Sequence, residues 1–230
     1  MSDVIRIVSA TRVSAEEFEN ATLLGASLRP FREAPLLERD VAFNNSDGLP
    51  AVYNRAIERA KDSPAILVFV HDDVYIADTI WMDEIRRCLA HFDLVGLAGN
   101  KRRVANQPAW AFAQIVNGQF AWDDFANLSG VVGHGEPPGE FSVYGPVHQP
   151  CVLLDGLMLI VRSAMLHERE LRFDARFTFH LYDMDFCRQA ELKQLRMGTG
   201  CIKVIHRSGG SFGSPEWVAA YQEYLRKYGS

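Results

Sequence analysis

No two of the four cysteines stand as a C-x-x-C pair, and Cys88, Cys151, Cys187 and Cys201 each lie in an apolar stretch. That pattern predicts buried free thiols, as suits a reducing compartment. No apolar run approaches the length needed to cross a bilayer. The opening "MSDVIRIVSAT" lacks the charged head and apolar middle of a secretory leader. Both absences predict a soluble cytoplasmic chain, with peripheral docking on the inner membrane face left open. Basic residues are also scarce: the formal net charge is −5 and the pI is near 5.8. No basic stripe points to nucleic acid, and the densest cationic cluster, Lys101-Arg102-Arg103, reads as a solvated loop. Internal repeats and low-complexity tracts are missing too.

What remains is a chain of 230 residues, 48% hydrophobic, enough for one large domain with a buried core. Val4 to Ala10 reads as a strand. Ser14-Ala15-Glu16-Glu17 is a capping box opening a short helix that carries Phe18 and Leu23. Val41 to Phe43 reads as a second strand. Leu49, Val52, Tyr53 and Ile57 recur at helical spacing. Ala65 to Val70 is a strand, Thr79 to His91 a helix and Leu94 to Ala98 a strand. Trp110–Val116 and Gln119–Phe125 form a hairpin about Asn117-Gly118. Gly130 to Gly145, rich in Gly and Pro, reads as a long mobile loop or lid. Val152 to Val161 is a strand broken at Asp155-Gly156. A helix starts near Asp183 and runs to Leu195, and a last strand spans Cys201 to Ile205. Ser214-Pro215 caps a final helix with Trp217, Tyr221 and Leu225 on one face. Strands alternating with helices predict an α/β fold on a mostly parallel sheet.

Ligands bind at the carboxyl ends of strands in such sheets. Three strands end in polar clusters there: Ser9-Ala10-Thr11-Arg12, Asn44-Asn45 and His71-Asp72-Asp73. Along a strand His71 and Asp73 can face one way and Asp72 the other, so one divalent ion could sit at the tip. The alternative is a polar cap on the next turn. A phosphohydrolase His-Asp dyad fits poorly, because this pair ends an apolar strand and not a helix. Asp183 and Asp185 fall in the first turn of a helix, where acidic residues also serve as ordinary caps. His206 ends a strand and precedes Ser208-Gly209-Gly210-Ser211, whose backbone N–H groups could approach phosphate oxygens. Asp155-Gly156 marks either a structural hydrogen bond or a site.

The stretches "YNRAIERAKDSPAILVFVHDDVYI", "LLDGLMLIVRSAML", "LRFDARFTFHLYDMDFCRQAELK" and "VIHRSGGSFGSPEW" stand in an order that resembles glycosyltransferase family 2. More narrowly, they are similar to its compact bacterial glycosyltransferase-like branch. The resemblance runs from about Ile5 to Tyr228 and is weakest over residues 100 to 145. It implies a GT-A-type, Rossmann-like α/β/α sandwich with a hairpin insertion, a single domain whose residues 1–99 bind nucleotide and 100–230 bind acceptor. It implies a metal-dependent, inverting hexosyltransferase taking a UDP- or other nucleotide-sugar to a glycan or lipid-linked hydroxyl, with Mn²⁺ or Mg²⁺ as cofactor. The family's metal motif falls on His71-Asp72-Asp73, so Asp73 takes the metal position, with His71 in place of the usual first Asp. Asp183 matches the general base, with Tyr182 where an acidic residue usually precedes it. His206 matches a histidine that completes metal coordination. By the same resemblance Thr11, Arg12, Asn44 and Asp72 fall to the nucleotide, Asp72 being also the carboxylate best explained as structural. Asp155, Gly156, Asp185 and Trp110 fall to donor sugar or acceptor, and Trp110 and Trp122 can instead be hairpin or core packing. The rival readings are an inert nucleotide- or glycan-binding protein of the same fold and, more remotely, a sugar-nucleotide pyrophosphorylase, whose Gly-rich start after the first strand is missing from "VSATRVSAEEF".

Overall fold

The structure is a computed structural model, and it describes residues 4–229. The first half runs β1 (Ile5–Ala10), α1 (Phe18–Ala21), α2 (Leu23–Leu28), β2 (Leu37–Ala42), α3 (Leu49–Arg59), β3 (Ile66–Val70), β4 (Val74–Ile76), α4 (Trp81–Cys88), β5 (Leu94–Gly96) and β6 (Ala98–Asn100). The hairpin β7 (Phe112–Val116) and β8 (Gln119–Trp122) follows, then β9 (Leu128–His134) and β10 (Glu140–Gly145). The chain closes with β11 (Leu153–Leu154), β12 (Met158–Arg162), α5 (Ser163–Glu168), α6 (Tyr182–Leu192), β13 (Met197–Thr199), β14 (Val204–His206) and α7 (Pro215–Tyr228).

The main sheet has the order β13-β5-β12-β3-β1-β2. β1 pairs parallel with β2 and β3, and β13 parallel with β5. β12 is antiparallel to both its neighbours. All five residues of β3, Ile-Leu-Val-Phe-Val, are buried, as a strand covered on both faces requires. Beside it Tyr53, Phe69, Phe173 and Tyr182 pack ring to ring, with Phe173 stacked on Phe186 at 3.9 Å. Each such ring contributes about 1.5–3 kcal/mol by burial. A second sheet runs β11-β6-β9-β14-β4, with β10 on β9. The main sheet draws strands from both sides of residue 100, so the two stretches share one core.

Caps and turns follow the local chemistry. Ser14 and Glu17 exchange the capping-box hydrogen bonds, closing the turn that leads into α1, whose N-cap position is Glu17. Thr22 then interrupts the helix, capping α2 through Gly25 N–H. Asn117 and Gly118 both take positive φ, the demand of a tight two-residue hairpin turn. Ser214 caps α7 through Trp217 N–H at 3.1 Å. No helix among the described residues is long and apolar enough to cross a membrane.

Several sequence expectations are corrected. Residues 130–145 are no mobile loop: they form most of the antiparallel pair β9–β10, and Gly133 and Gly139 lie close against Ile205. The expected strand at 94–98 is two strands in different sheets, because the chain turns at Leu97. Residues 201–203 are not strand, and the short β13 ahead of them was missed. The helix at 79–91 shrinks to α4, and the second strand shifts to Leu37–Ala42. Cys201 is exposed; the other three cysteines are buried and all are free. Lys101 to Arg103 form a surface loop in which Arg102 is exposed, and both arginines have partners. Arg102 pairs with the buried Asp123, and Arg103 ties Glu191, Tyr224 and the Val152 carbonyl together.

Candidate active-site cleft

Strand register assembles the site. β1 and β3 leave the main sheet at the same edge, at Thr11 and His71. β12 enters at that edge, since Met158 pairs with Val70. His71 N–H therefore donates to Leu157 O at 3.1 Å, and Asp155-Gly156 lies beside the tip of β3. In the second sheet β14 runs antiparallel to β4, His206 opposite Val74, which seats His206 against Asp73. α6 is launched by Leu181 in the left-handed region at φ 63°. A bulky residue there is uncommon and costs energy, and it sets Tyr182 and Asp183 at the same edge.

A cavity of about 610 Å³ results, lined by His71, Asp73, Asp155, Gly156, Asp183 and His206 among others. One ligating atom each from His71, Asp73 and His206 falls within a 4.8 Å span. His206 Nε2 is 3.2 Å from Asp73 Oδ1, close to the ~3 Å edge between adjacent donors on an ion bonded at about 2.1 Å. The Tyr182 hydroxyl donates to Gly156 O at 2.8 Å and lies 2.8 Å from His71 Nε2. With its proton committed, that hydroxyl accepts from Nε2–H, which leaves a lone pair on His71 Nδ1. The donor set thus fits a divalent cation. Burial and the charge of His206 lower His71 to about 4, so the ring is neutral. Burial works to raise Asp73, but the His206 hydrogen bond and charge outweigh it and hold the carboxyl well below its usual range.

Asp183, in the same cavity, is shifted the opposite way from Asp73. Burial first, then the charge of Asp155, push it up to about 7. Two backbone donors locate it, Met184 N–H at 2.8 Å and Gly156 N–H at 3.1 Å. Gly156 has no room for a side chain, since a Cβ would stand 2.5 Å from the Tyr182 oxygen. Asp155 is held by Trp110 Nε1–H at 2.8 Å and Leu157 N–H at 3.0 Å.

A smaller cavity of about 360 Å³ adjoins, lined by Thr11, Arg12, Asn45, Asp72 and Phe179. Phe179 borders both cavities and stacks on His71. Asp72 lines the smaller cavity while His71 and Asp73 line the larger one. Residues 71–73, expected to continue the strand, instead form a turn between β3 and β4 closed by Val74 N–H on the His71 carbonyl.

Two of the sequence candidates lie elsewhere. Asn44 is exposed and outside the smaller cavity; its neighbour Asn45 lines the wall, because Asn44 takes a left-handed turn. Asp185 is fully buried on the far side of α6, accepting from Lys227, Tyr228 and Gln189. Trp110 reaches the cleft edge-on and 7% exposed, whereas Trp122 is 50% exposed and stacks with Phe125 and Tyr144. Tyr144 and Phe179 were not singled out from sequence. Tyr144 sits in the stretch read as loop, and Phe179 precedes a helix whose left-handed start has no sequence signature.

No protein-family model and no curated protein matches the chain. Solved structures do. The 1–349 fragment of TarS from S. aureus aligns with TM-score 0.52 at 14% identity, over 96% of this chain and 64% of that one. GalNAc-T7, solved with UDP, GalNAc and Mn²⁺, aligns with TM-score 0.50 at 9% identity, over 97% of this chain and 47% of that one. Both are glycosyltransferases. The fold is that of the GT-A-like glycosyltransferases. A197 from STIV shares it, with TM-score 0.51 at 11% identity over 89% of this chain and 86% of that one. The chain spans less than two thirds of the TarS fragment. At these identities the GT-A-like fold is what is shared.

Proposed function

We propose that the protein transfers a sugar from a nucleoside-diphosphate donor to a hydroxyl acceptor, with inversion and with a divalent cation. The observation that carries this reading is the convergence of His71, Asp73, His206 and Asp183 on one cavity beside a second, polar one. Glycosyltransferases of the same fold supply the class of chemistry, and the UDP and Mn²⁺ bound to GalNAc-T7 supply a precedent for donor and ion.

In this reading Thr11, Arg12 and Asp72 hold the nucleoside, with Asn45 in place of Asn44. Residues 1–99 supply most of that wall, and residues 100–230 supply the acceptor side. His71, Asp73 and His206 hold the cation; two imidazoles and one carboxylate suit Mn²⁺ better than Mg²⁺, which favours oxygen ligands. A cation held by these three residues would supply neutralisation of the charge developing on the departing diphosphate, worth several kcal/mol. The Ser208–Ser211 turn lines the same cavity and presents backbone N–H groups to phosphate oxygens.

Asp183 takes the proton of the acceptor hydroxyl. A base with acidity near 7 is well matched to that work at neutral pH. Asp155 keeps Asp183 basic through its charge, and Trp110 keeps Asp155 in place. Tyr182 stays a neutral phenol because burial raises its pKa well above the usual value, so it can go on fixing the His71 tautomer. Trp122 and Tyr144 offer an aromatic face to an acceptor sugar, and Asp185 has no part in the chemistry.

The test is a panel of nucleotide-sugars assayed for thermal stabilisation and for sugar release or transfer, with and without Mn²⁺. Stabilisation by a nucleotide together with Mn²⁺-dependent turnover supports the reading. Binding without turnover of any donor would make the protein an inert binder.

A further inference from the structure

A second cluster of ligating side chains lies outside the cleft. Glu84 and Cys88 stand one helical turn apart on α4, so their side chains share a face. Glu84 is 6% exposed and Cys88 1%. The Cys88 thiol donates to Glu84 Oε1 at 3.3 Å. His148, in the segment after β10, completes the group: Nε2 is 3.5 Å from Glu84 Oε1 and Nδ1 is 3.9 Å from Cys88 Sγ. His148 takes a left-handed backbone, φ 58°, which is uncommon outside glycine. All three ligating atoms fit within 4.8 Å.

We propose that Glu84, Cys88 and His148 form a binding site for a thiophilic divalent cation of the Zn²⁺ class, separate from the cleft. A thiolate, an imidazole and a carboxylate are the ligand types zinc takes, at about 2.3 Å for sulfur and about 2.0–2.2 Å for nitrogen and oxygen. In a tetrahedron those bonds give edges of roughly 3.3–3.5 Å between ligand atoms. The Glu84–Cys88 and Glu84–His148 separations already match. Only one ring nitrogen of His148 can bind the ion, and it lies within 4.8 Å of both other ligand atoms; the third edge closes by a turn of the His148 ring, whose side chain is 50% exposed. The same exposure leaves a fourth position open to water. None of the three residues lines the cleft. A cation here ties the chain between β10 and β11 to α4. Gln149 and Pro150 of that segment also contact β13, at Thr199 and Gly198, so the site would clamp one edge of the main sheet.

Untagged, reduced and chelator-treated protein titrated with Co²⁺ tests this. The expected result is one equivalent of cobalt giving a near-ultraviolet thiolate-to-cobalt charge-transfer band that Zn²⁺ abolishes by displacement. The cleft cluster holds no sulfur and cannot produce that band. Cys88→Ser and His148→Asn should each lose it; asparagine tolerates the left-handed backbone, so the second variant should keep its metal-free Tm within about 2 °C. Cys201→Ser, the exposed thiol, should retain it. Zinc at a hundred times its Kd should raise the wild-type Tm by roughly 5–10 °C, and His148→Asn should show none of that rise. Absence of the band in the wild type would overturn the site, and so would a band that survives Cys88→Ser but disappears in Cys201→Ser.

Discussion

Replacing Asp183 by Asn tests the base and its environment together. The substitution keeps shape and removes the ability to take a proton. General-base assistance is worth about 10²–10⁴-fold, or roughly 3–5 kcal/mol of barrier. Transfer should fall by that factor. Asp183 does not line the smaller cavity, so nucleotide affinity should stay near wild type. Steady-state kinetics and calorimetry with UDP and Mn²⁺ read the two effects separately. In the wild type, kcat/KM should lose its base as pH falls below about 7, with an acid limb of unit slope. Retention of activity to within about tenfold, below the usual range for a lost base, would refute the assignment.

Stability gives the same residue an independent readout. The Asp183 pKa is raised in the folded protein from 3.8 to about 7. A raised folded value means the contribution is fully present below the unfolded value and is lost as pH rises through the folded one. Wild type should therefore lose stability between about pH 4 and 7 through this group, on the order of 2–4 kcal/mol. Asn carries no charge and escapes that loss. Its amide can accept from only one of the two backbone donors, which leaves Gly156 N–H or Met184 N–H unpaired at about 1–3 kcal/mol. The variant should thus be less stable than wild type at pH 5 and gain on it steadily toward pH 8. Denaturation midpoints that run parallel across that range would remove the raised acidity from the account.

Other substitutions address single contacts. Asp73→Ala should abolish Mn²⁺-dependent nucleotide binding; equal UDP affinity with and without Mn²⁺ in the wild type would take Asp73 out of the cation site. Tyr182→Phe removes the hydroxyl between Gly156 O and His71 Nε2, and should weaken Mn²⁺ binding about 10–100-fold, the usual cost of losing a residue that orients a ligand. Calorimetry reads it, and an unchanged Kd would leave His71 oriented by something else. Asp185→Asn should lower stability by about 2 kcal/mol, or roughly 4–8 °C in Tm, because Lys227 keeps Asp174 as a partner. Turnover per folded molecule should be unchanged; lost turnover at an unchanged Tm would return Asp185 to the site.

The pattern of what sequence could and could not show has a physical cause. Periodicity and caps are local, so α3, β3, the β7–β8 hairpin and the Ser214 cap were legible. The polar tips after β1 and β3 were legible for the same reason: a buried strand that ends in His-Asp-Asp needs an explanation wherever it lies. Residues 130–145 were misread because glycine and proline signal loops on their own, while here the glycines let strands approach closely. Gly133 and Gly139 both lie under Ile205, about 70 residues further on. Asp183 and Asp185 were indistinguishable in sequence, two carboxylates in one helical turn. Lys227 and Tyr228, more than 40 residues away, draw one to the far side of α6 and leave the other facing the cleft.

One topological choice decides whether these residues meet at all. Had β12 paired parallel to β3, its first residue would lie at the edge where β3 begins. Asp155-Gly156 would then sit the length of a five-residue strand away, about 15 Å from His71. The antiparallel pairing of Met158 with Val70 brings the lead-in of β12 onto the tip of β3. With it come the Gly156 carbonyl that accepts the Tyr182 hydrogen bond, the Gly156 N–H that holds Asp183, and the Asp155 charge that adds to burial in raising the Asp183 pKa. The second antiparallel pair, β4 with β14, delivers His206 to Asp73 in the same way. The cation ligands and the base therefore depend on two antiparallel pairings, β12 with β3 and β14 with β4, and parallel pairing at either place would part them.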